Sequence, residues 1–445
     1  MTTSSSARSG TAAPEPLTVI MLVTSGGLND PRVRRSMQTA ARVGLQVQLV
    51  CRPSTLLTVE NSGISVVHIH HVPRVPGAGI LKRMFMREPQ TIERGRSVDA
   101  GGGRGASVSG KSDGPYWLRP REAWTLLGIA WFNCLAVTKM WRFSAALVHA
   151  NDLDTLIAGV LLSRLKKMPL LYDAHELFTA QFTGASRQFR SILFGLEHWL
   201  IRYADSVVTV SRSIAETLAA WHGVSVPRVV MNCPSARPLV GAGVAGAIPR
   251  QRPLARVVYQ GMYLPERGLE ELILSVPQFD SAELYLRGYG DLEPALRALV
   301  EREGLQGRVH FLPPADPRYM VESLAGFDIG VVPYRPTHLC HQYCLPNKVF
   351  EYLQAGLALA VSALPELERL VKETETGELF DPERPDDIAR AINALTKDPR
   401  RLGEAQSKAR LAAMRYTWEI QGEPHILACY RELIGVESPK PGDAR

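Results

Sequence analysis

Residues 345–356 read LPNKVFEYLQAG, and the reading of this stretch decides the rest. Pro346 stiffens the approach to a helix, and Asn347 is the expected N-cap, a residue whose side chain accepts from orphan backbone N–H groups. From Lys348 onward the spacing is helical: Val349, Tyr352 and Leu353 recur at i, i+3 and i+4, and Gly356 supplies the stop. Unpaired N–H groups, the positive end of the helix dipole and the Lys348 ammonium then converge on one spot that suits a phosphate. Glu351 lies one turn further, on the side of Asn347. A carboxylate there repels phosphate unless it binds hydroxyls instead, and a nucleotide satisfies both groups. An ordinary amphipathic helix with a surface Lys and Glu has the same spacing, so the stretch alone leaves both readings open.

Strands and helices alternate on either side of it. Upstream and downstream, strands are expected at Arg256–Gln260, Ala282–Arg287, Arg308–Leu312, Asp328–Pro333 and Leu357–Ser362, with helices near 267–276, 291–303, 316–326, 347–355 and 385–397. The first of these strands runs into QGMYLPERGLEEL, where Gly261 opens a loop and Arg267 stands before the next helix, on the same edge as Lys348. The segment 287–291, RGYGD, is a second glycine turn into a helix. An earlier block repeats the alternation. LTVIMLVTS (17–25) is the continuous apolar run of a buried parallel strand. Gly26 and Gly27 follow, then Asn29-Asp30-Pro31 opens a helix over 32–44. Further strands read at 47–52, 64–70, Leu147–Asn151, Pro169–Asp173, Ser206–Ser211 and Arg228–Asn232. Polar residues gather at their carboxyl ends: Asn151 and Asp152, then Asp173, His175 and Glu176. Open α/β sheets bind ligands at that edge. His175 there is suited to act as a base or to donate to a substrate oxygen.

The chain has 445 residues, more than one core supports. The expected division is a disordered tail 1–16, an N-terminal doubly wound domain 17–234, a Pro/Gly/Ala-rich linker 235–254, a second doubly wound domain 255–415, a closing helix 416–434 and a loose tail 435–445. Hydrophobic content of 45% and charged content of 21% are those of an ordinary globular chain, and the net charge of +7 favours anionic partners. No Arg/Lys run with interleaved aromatics suggests nucleic acid. Six scattered cysteines and a start without an apolar core fit a reducing cytoplasm. His338, Cys340, His341 and Cys344 form a group of potential metal ligands, but no second pair lies at finger-like spacing. They are expected to wall the active site rather than to bind metal. The Gly/Ser/Arg-rich stretch 76–115 carries no expected structure over 94–114. The basic, apolar run Ile80–Arg87 precedes it, and the uncharged Ala123–Thr138 follows. At 16 residues that segment is short of the ~20 needed to span a bilayer. It reads as a buried helix or as a membrane-surface helix.

Taken in order, GGLNDPRVRR, VHANDLDTL, YDAHELF, VVTVS, VVYQGMYLPERGLEEL and LPNKVFEYLQAG resemble glycosyltransferase family 4, the retaining sugar transferases of GT-B fold. The resemblance covers about residues 17–434 apart from the insertion. It implies an α/β chain of two Rossmann-like domains facing across a cleft, with the last helix crossing back onto the N-terminal domain. It implies a nucleotide-diphosphate sugar held by the C-terminal domain, a saccharide or lipid-linked acceptor on the N-terminal domain, and no required metal or other cofactor. By position, Glu351 matches the ribose-binding glutamate, Arg267 the diphosphate-binding cation, His175 the histidine near the donor sugar, and Gly26 and Gly27 the glycine loop facing the phosphates. Asn151 and Asp152 join His175 as candidate catalytic groups, and Gly261, Asn347 and Lys348 join the donor-binding set. Two departures stand out. Met262 replaces an arginine that often follows the glycine, and Tyr343 replaces a glutamate that usually contacts the donor sugar. These departures keep two other readings open: a nucleotide-sugar epimerase on the same scaffold, and a member that binds nucleotide or a partner without turnover. The charge, the Ile80–Arg87 run and the Trp-rich segment lean toward a role in polysaccharide or glycolipid synthesis at the inner face of a membrane.

Overall fold

The computed structural model describes residues 16–27, 30–53, 67–76, 117–182, 184–237 and 254–436. Seven parallel strands make the first sheet: β1 (Thr18–Leu22), β2 (Gln46–Cys51), β3 (Val67–His71), β4 (Leu147–Asn151), β5 (Leu170–Ala174), β6 (Ser206–Thr209) and β7 (Arg228–Val229), in the order β3-β2-β1-β4-β5-β6-β7. The order reverses between β1 and β4, which leaves a crevice at their carboxyl ends. Helices α1 (Pro31–Arg42), α2 (Pro120–Met140), α3 (Leu153–Lys166), α4 (Arg187–Leu200) and α5 (Arg212–His222) cover the faces. Asp30 caps α1, accepting from the backbone N–H groups of Arg32 and Val33.

The second sheet has six parallel strands: β8 (Ala255–Gln260), β9 (Ala282–Arg287), β10 (Val309–Leu312), β11 (Ile329–Val332), β12 (Ala358–Ser362) and β13 (Gly377–Phe380), in the order β10-β9-β8-β11-β12-β13. Its helices are α6 (Leu269–Ser275), α7 (Glu293–Arg302), α8 (Leu339–Gln342), α9 (Asn347–Gln354), α10 (Pro365–Thr374), α11 (Pro385–Thr396) and α12 (Pro399–Ala413). Strands β8 and β12 are buried along their whole length, which is why ARVVYQ and ALAVS read as unbroken runs rather than alternations. Helix α9 buries Val349, Phe350, Tyr352 and Leu353 completely. Each such side chain contributes ~1.5–3 kcal/mol. Gly330 on β11 lets α9 come this close: a Cβ there would lie 2.3 Å from the Tyr352 ring. The opening stretch is therefore clamped to the sheet at the point where the strand order reverses, between β8 and β11.

Three expectations change. The helix expected at 316–326 is reduced to a 3-10 turn, Glu322–Leu324, because Pro317 and sparse apolar spacing leave no face to bury. Strand β13 closes the sheet where none was expected. The segment 123–138 belongs to a longer helix, α2, whose Ile129, Phe132, Ala136 and Met140 are buried. Asn133 donates to the carbonyls of Ile129 and Asp154 and accepts from the Ala158 N–H, tying α2 to α3. Its outer side leaves Leu127 and Cys134 exposed. Among the described residues α2 is the one helix long and apolar enough to cross a membrane by length and composition. Ile80–Arg87, 94–114, most of the 235–254 linker and the two tails lie outside the described residues.

After α12 the chain returns to the first unit through α13 (Trp418–Gln421) and α14 (Glu423–Ile434). Trp418 is buried against α1, donates to Thr39 (3.0 Å), and receives the guanidinium groups of Arg32 and Arg35, each 5.5 Å from its ring. Glu423 pairs with Arg42 at 2.8 Å. Further along, Tyr430 reaches into the first sheet to bond His149.

Candidate active site

On the C-terminal side, α9 begins differently from the sequence expectation. Pro346 is the N-cap (φ −72°, ψ 144°), Asn347 is the first helical residue, and its side chain makes no capping bond. The fixed proline φ with an extended ψ already suits the capping position, and the Pro346 carbonyl takes the Val349 N–H at 3.1 Å. The first-turn N–H groups of Asn347 and Lys348 have no intrahelical acceptor. Lys348 runs inward from there, with Nζ 3.9 Å above the Tyr259 ring and 4.9 Å from that of Tyr334. The Arg267 guanidinium lies 4.2 Å over the same Tyr334 ring. Two cations thus share an aromatic floor. Burial pushes the Lys348 ammonium well below its usual range, Arg267 adds to that, and Glu351 opposes it. Gly261 (φ +147°) leaves the space that Lys348 uses: a Cβ would stand 2.8 Å from Nζ. Glu351 accepts from Gln260 at 3.4 Å, and burial pushes its carboxyl up.

On the N-terminal side, His175 is held between two carboxylates. Its backbone N–H donates to Asp152 Oδ1 (2.9 Å), its Nδ1 lies 3.4 Å from Asp152 Oδ2, and its Nε2 lies 3.7 Å from Asp173 Oδ2. Burial alone would lower its pKa, but the two carboxylates outweigh this and raise it to about 10. The His175–Asp152 pair therefore keeps a proton at neutral pH and offers a donor rather than a free base. Burial pushes Asp152 up to about 8, against the pull of His175. Burial would raise Asp173 as well, but Arg32, followed by His175 and His149, holds it well below the usual carboxylate range. The Arg32 contact is a two-pronged fork, 2.9 Å at each oxygen. His149 Nε2 lies 3.6 Å from the same carboxylate, and its Nδ1 is 3.1 Å from the Tyr430 hydroxyl. A chain of polar contacts thus runs from the C-terminal helix to His175.

The other expected residues fall into distinct places. Asn151 is buried behind the edge and donates to the Leu22 carbonyl (2.9 Å), so it joins β4 to β1 rather than facing the cleft. Asp152 takes φ +61° at the head of α3, which turns its carboxylate onto His175. Gly27 (φ +58°) packs against Leu49 and Cys51, and Gly26 is partly open beside it. Next to them Thr24 bonds Asp154, whose carboxyl burial pushes up to about 6. The sets face each other: the field of Arg267 reaches Glu176, and that of Arg35 reaches Glu351. The α8 loop crosses the gap as well. Cys340 is buried among residues of the first unit and donates to the Leu177 carbonyl (2.9 Å), while the Tyr343 carbonyl accepts from Ser211 (3.1 Å). Tyr343 is thus turned to the N-terminal unit. The four potential ligands of this loop are split, with His338 and His341 directed to Glu266. Sequence reasoning missed Arg32, His149 and Tyr430. The first two were legible as residues inside GGLNDPRVRR and VHANDLDTL; Tyr430 carried no local signal. A cavity of about 850 Å³ lined by Arg256, Tyr285, Arg297 and His310 lies along β9 and β10 and shares no residue with this cleft.

Two doubly wound parallel-sheet units facing in this way define the GT-B class. Sucrose-phosphate synthase from Thermosynechococcus elongatus superposes with a TM-score of 0.69 at 18% identity, covering 95% of this chain and all of that one. HepE from Anabaena in complex with UDP and glucose gives 0.61 at 16% identity, covering 94% and 98%. Residues 101–233 match the model described as Glycosyltransferase Family 4, and residues 255–398 match that of the glycosyl transferases group 1. Glycogen synthase of Mycobacterium tuberculosis is 24% identical over 344 residues, 72% of this chain and 78% of that protein. D-inositol 3-phosphate glycosyltransferase of Rhodococcus jostii is 26% identical over 284 residues, 59% of this chain and 61% of that protein. The chain belongs to the family 4-type glycosyltransferases.

Proposed function

We propose that this glycosyltransferase moves a sugar, with retention at the anomeric carbon, from a nucleoside-diphosphate sugar to an acceptor hydroxyl, in the making of a cell-envelope polysaccharide or glycolipid. The observation that carries the reading is the pair Lys348 and Arg267. They stand over one aromatic floor, opposite His175, with no carboxylate within ion-pair distance among the described residues. As the glycosidic bond breaks, the departing diphosphate gains charge, and these two cations with the α9 dipole stabilise it. Glu351 suits ribose hydroxyls, and Asn347 and Gly261 line the same approach. Gly26 and Gly27 border the phosphates from the other side. His175 donates to a donor-sugar oxygen, oriented by Asp152 and Asp173. The acceptor hydroxyl attacks from the face the phosphate leaves and gives up its proton to that phosphate, so no enzymic nucleophile and no cofactor or metal is needed for transfer. The HepE structures that share the fold hold UDP or UDP-glucose, which favours a uridine donor.

The acceptor is proposed to be a saccharide or lipid-linked saccharide, met at the inner face of the membrane. The outer side of α2 and the net charge of +7 favour peripheral contact with anionic lipid. The test is a thermal-shift screen of nucleotide sugars followed by turnover with candidate acceptors. A bound donor raises the melting temperature. Nucleotide release that needs an acceptor, with the anomeric configuration kept in the product by NMR, is the expected result. An isomerised sugar nucleotide formed without acceptor, or tight binding without turnover, would overturn it.

A further inference from the structure

Glu266 sits in the loop between β8 and α6 with φ +70°, a left-handed conformation unusual for a side chain of its size. Its backbone carbonyl accepts from the Arg335 N–H at 3.2 Å, which fixes the turn and aims the carboxylate at the α8 loop. There one oxygen, Oε2, faces two imidazole nitrogens: His338 Nε2 at 3.4 Å and His341 Nδ1 at 3.8 Å. The two rings lie with centroids 3.9 Å apart and planes tilted by 33°. All three ligand atoms fall within 4.8 Å of one another. For comparison, arms of ~2.1 Å in a tetrahedral zinc site set neighbouring ligand atoms ~3.4 Å apart. One edge of the triangle already has that length, and the second exceeds it by a few tenths of an ångström.

His338 presents Nε2 to the carboxylate, and its other ring nitrogen, Nδ1, is buried and has no partner. His341 Nδ1 has the Thr337 hydroxyl at 3.3 Å besides the carboxylate. Glu266 is about a third exposed while the imidazoles are nearly covered, which leaves an opening on the carboxylate side. Cys340 cannot join, because its thiol is engaged with Leu177 across the cleft.

We propose that Glu266, His338 and His341 form a binding site for a divalent ion of the zinc class, beside the donor pocket and separate from the transfer chemistry. Two nitrogens and one carboxylate oxygen are the donor set that such an ion prefers, and the fourth position falls to water. The ion would tie the loop that carries Arg267 to the loop that precedes Lys348. Arg267 stands beside the group and opposes the added charge, which limits the affinity in the empty enzyme.

The test uses the full chain without a histidine tag, stripped with chelator and titrated with Zn²⁺ against a chromophoric competitor. One ion per chain is expected, with affinity falling about tenfold or more in Glu266→Gln and in His338→Gln and unchanged in Cys344→Ser. The Co²⁺ form should show tetrahedral absorption without a thiolate charge-transfer band. Circular dichroism of the metal-free variants checks that each is folded. Wild-type affinity in both ligand variants, a thiolate band, or loss of binding in Cys344→Ser alone would each overturn the proposal.

Discussion

At the N-terminal edge of the cleft, His175 lies between two carboxyl groups, one of them gripped by the Arg32 fork, so its charge is matched within the edge. At the C-terminal edge, Lys348 and Arg267 rest on Tyr259 and Tyr334 and reach no carboxylate within ion-pair distance among the described residues. One edge is closed upon itself; the other sets cationic side chains without a carboxylate partner where an anion can meet them. Groups of the first kind contribute to folding, and groups of the second kind oppose it in exchange for binding. The contrast makes opposite forecasts for superficially similar changes.

The largest effect on stability is expected at the closed edge. Asp173→Ala strips the counter-charge from an Arg32 that is 1% exposed. Breaking a buried pair in this way costs ~3–5 kcal/mol, readable by urea unfolding. At the open edge, Lys348→Met keeps the apolar stem and removes a strained charge, so the melting point should hold or rise. Transfer should nevertheless fall by ~10²–10³ in kcat, the loss seen when one charge-stabilising donor is removed. A stable Asp173→Ala together with an unfolded Lys348→Met would reverse the comparison. A second consequence concerns protons. Burial and Arg267 hold the Lys348 pKa down, and an arriving diphosphate raises it, so at any pH between the two values donor binding takes up a proton. Calorimetric binding enthalpies in two buffers of different ionisation heat should differ accordingly.

The pH profile sharpens the closed edge further. The folded pKa of His175, about 10, is above its ordinary 6.5, so its charge stabilises the fold fully below ~6.5. That contribution is lost as pH rises toward 10. Transfer should form its own alkaline limb centred near pH 10, where the folded imidazolium loses its proton, and His175→Asn should lower the rate and flatten that limb. A limb that persists in the variant would place the titration elsewhere.

How much of this the sequence carries depends on the range of the interaction. The α9 stretch is legible because helix spacing, a proline and a charged first turn all act within a dozen residues, so Lys348 and Glu351 stand out. Even there Asn347 was misplaced by one position, since a proline just before it claims the capping site. Arg267 and His175 could be singled out as polar residues following apolar strands. The partners of His175 were only half visible. Asp173 stands two positions before it and Asp152 directly follows the preceding strand, but Arg32 and Asp173 are 141 positions apart, and His149 meets Tyr430 across 281. No periodicity links such pairs; only the sheet order and the returning helix bring them together. The likeness to zinc ligands in 338–344 was visible, but the chain's path sends Cys340 to the other unit and substitutes Glu266 from a distant loop.

The smallest expected effect is at the far end of the polar chain. Tyr430→Phe removes a hydroxyl that is fully buried 3.1 Å from His149 Nδ1. The variant leaves that nitrogen without its partner, and the cost should be ~1–3 kcal/mol. Asp173 keeps both prongs of Arg32, so the field at His175 changes little. The alkaline limb of transfer should therefore stay where it is in the wild type while the melting point falls. A displaced limb would mean that Tyr430 and His149, rather than Arg32, set the charge of Asp173, and that the returning helix tunes the proton on His175 directly.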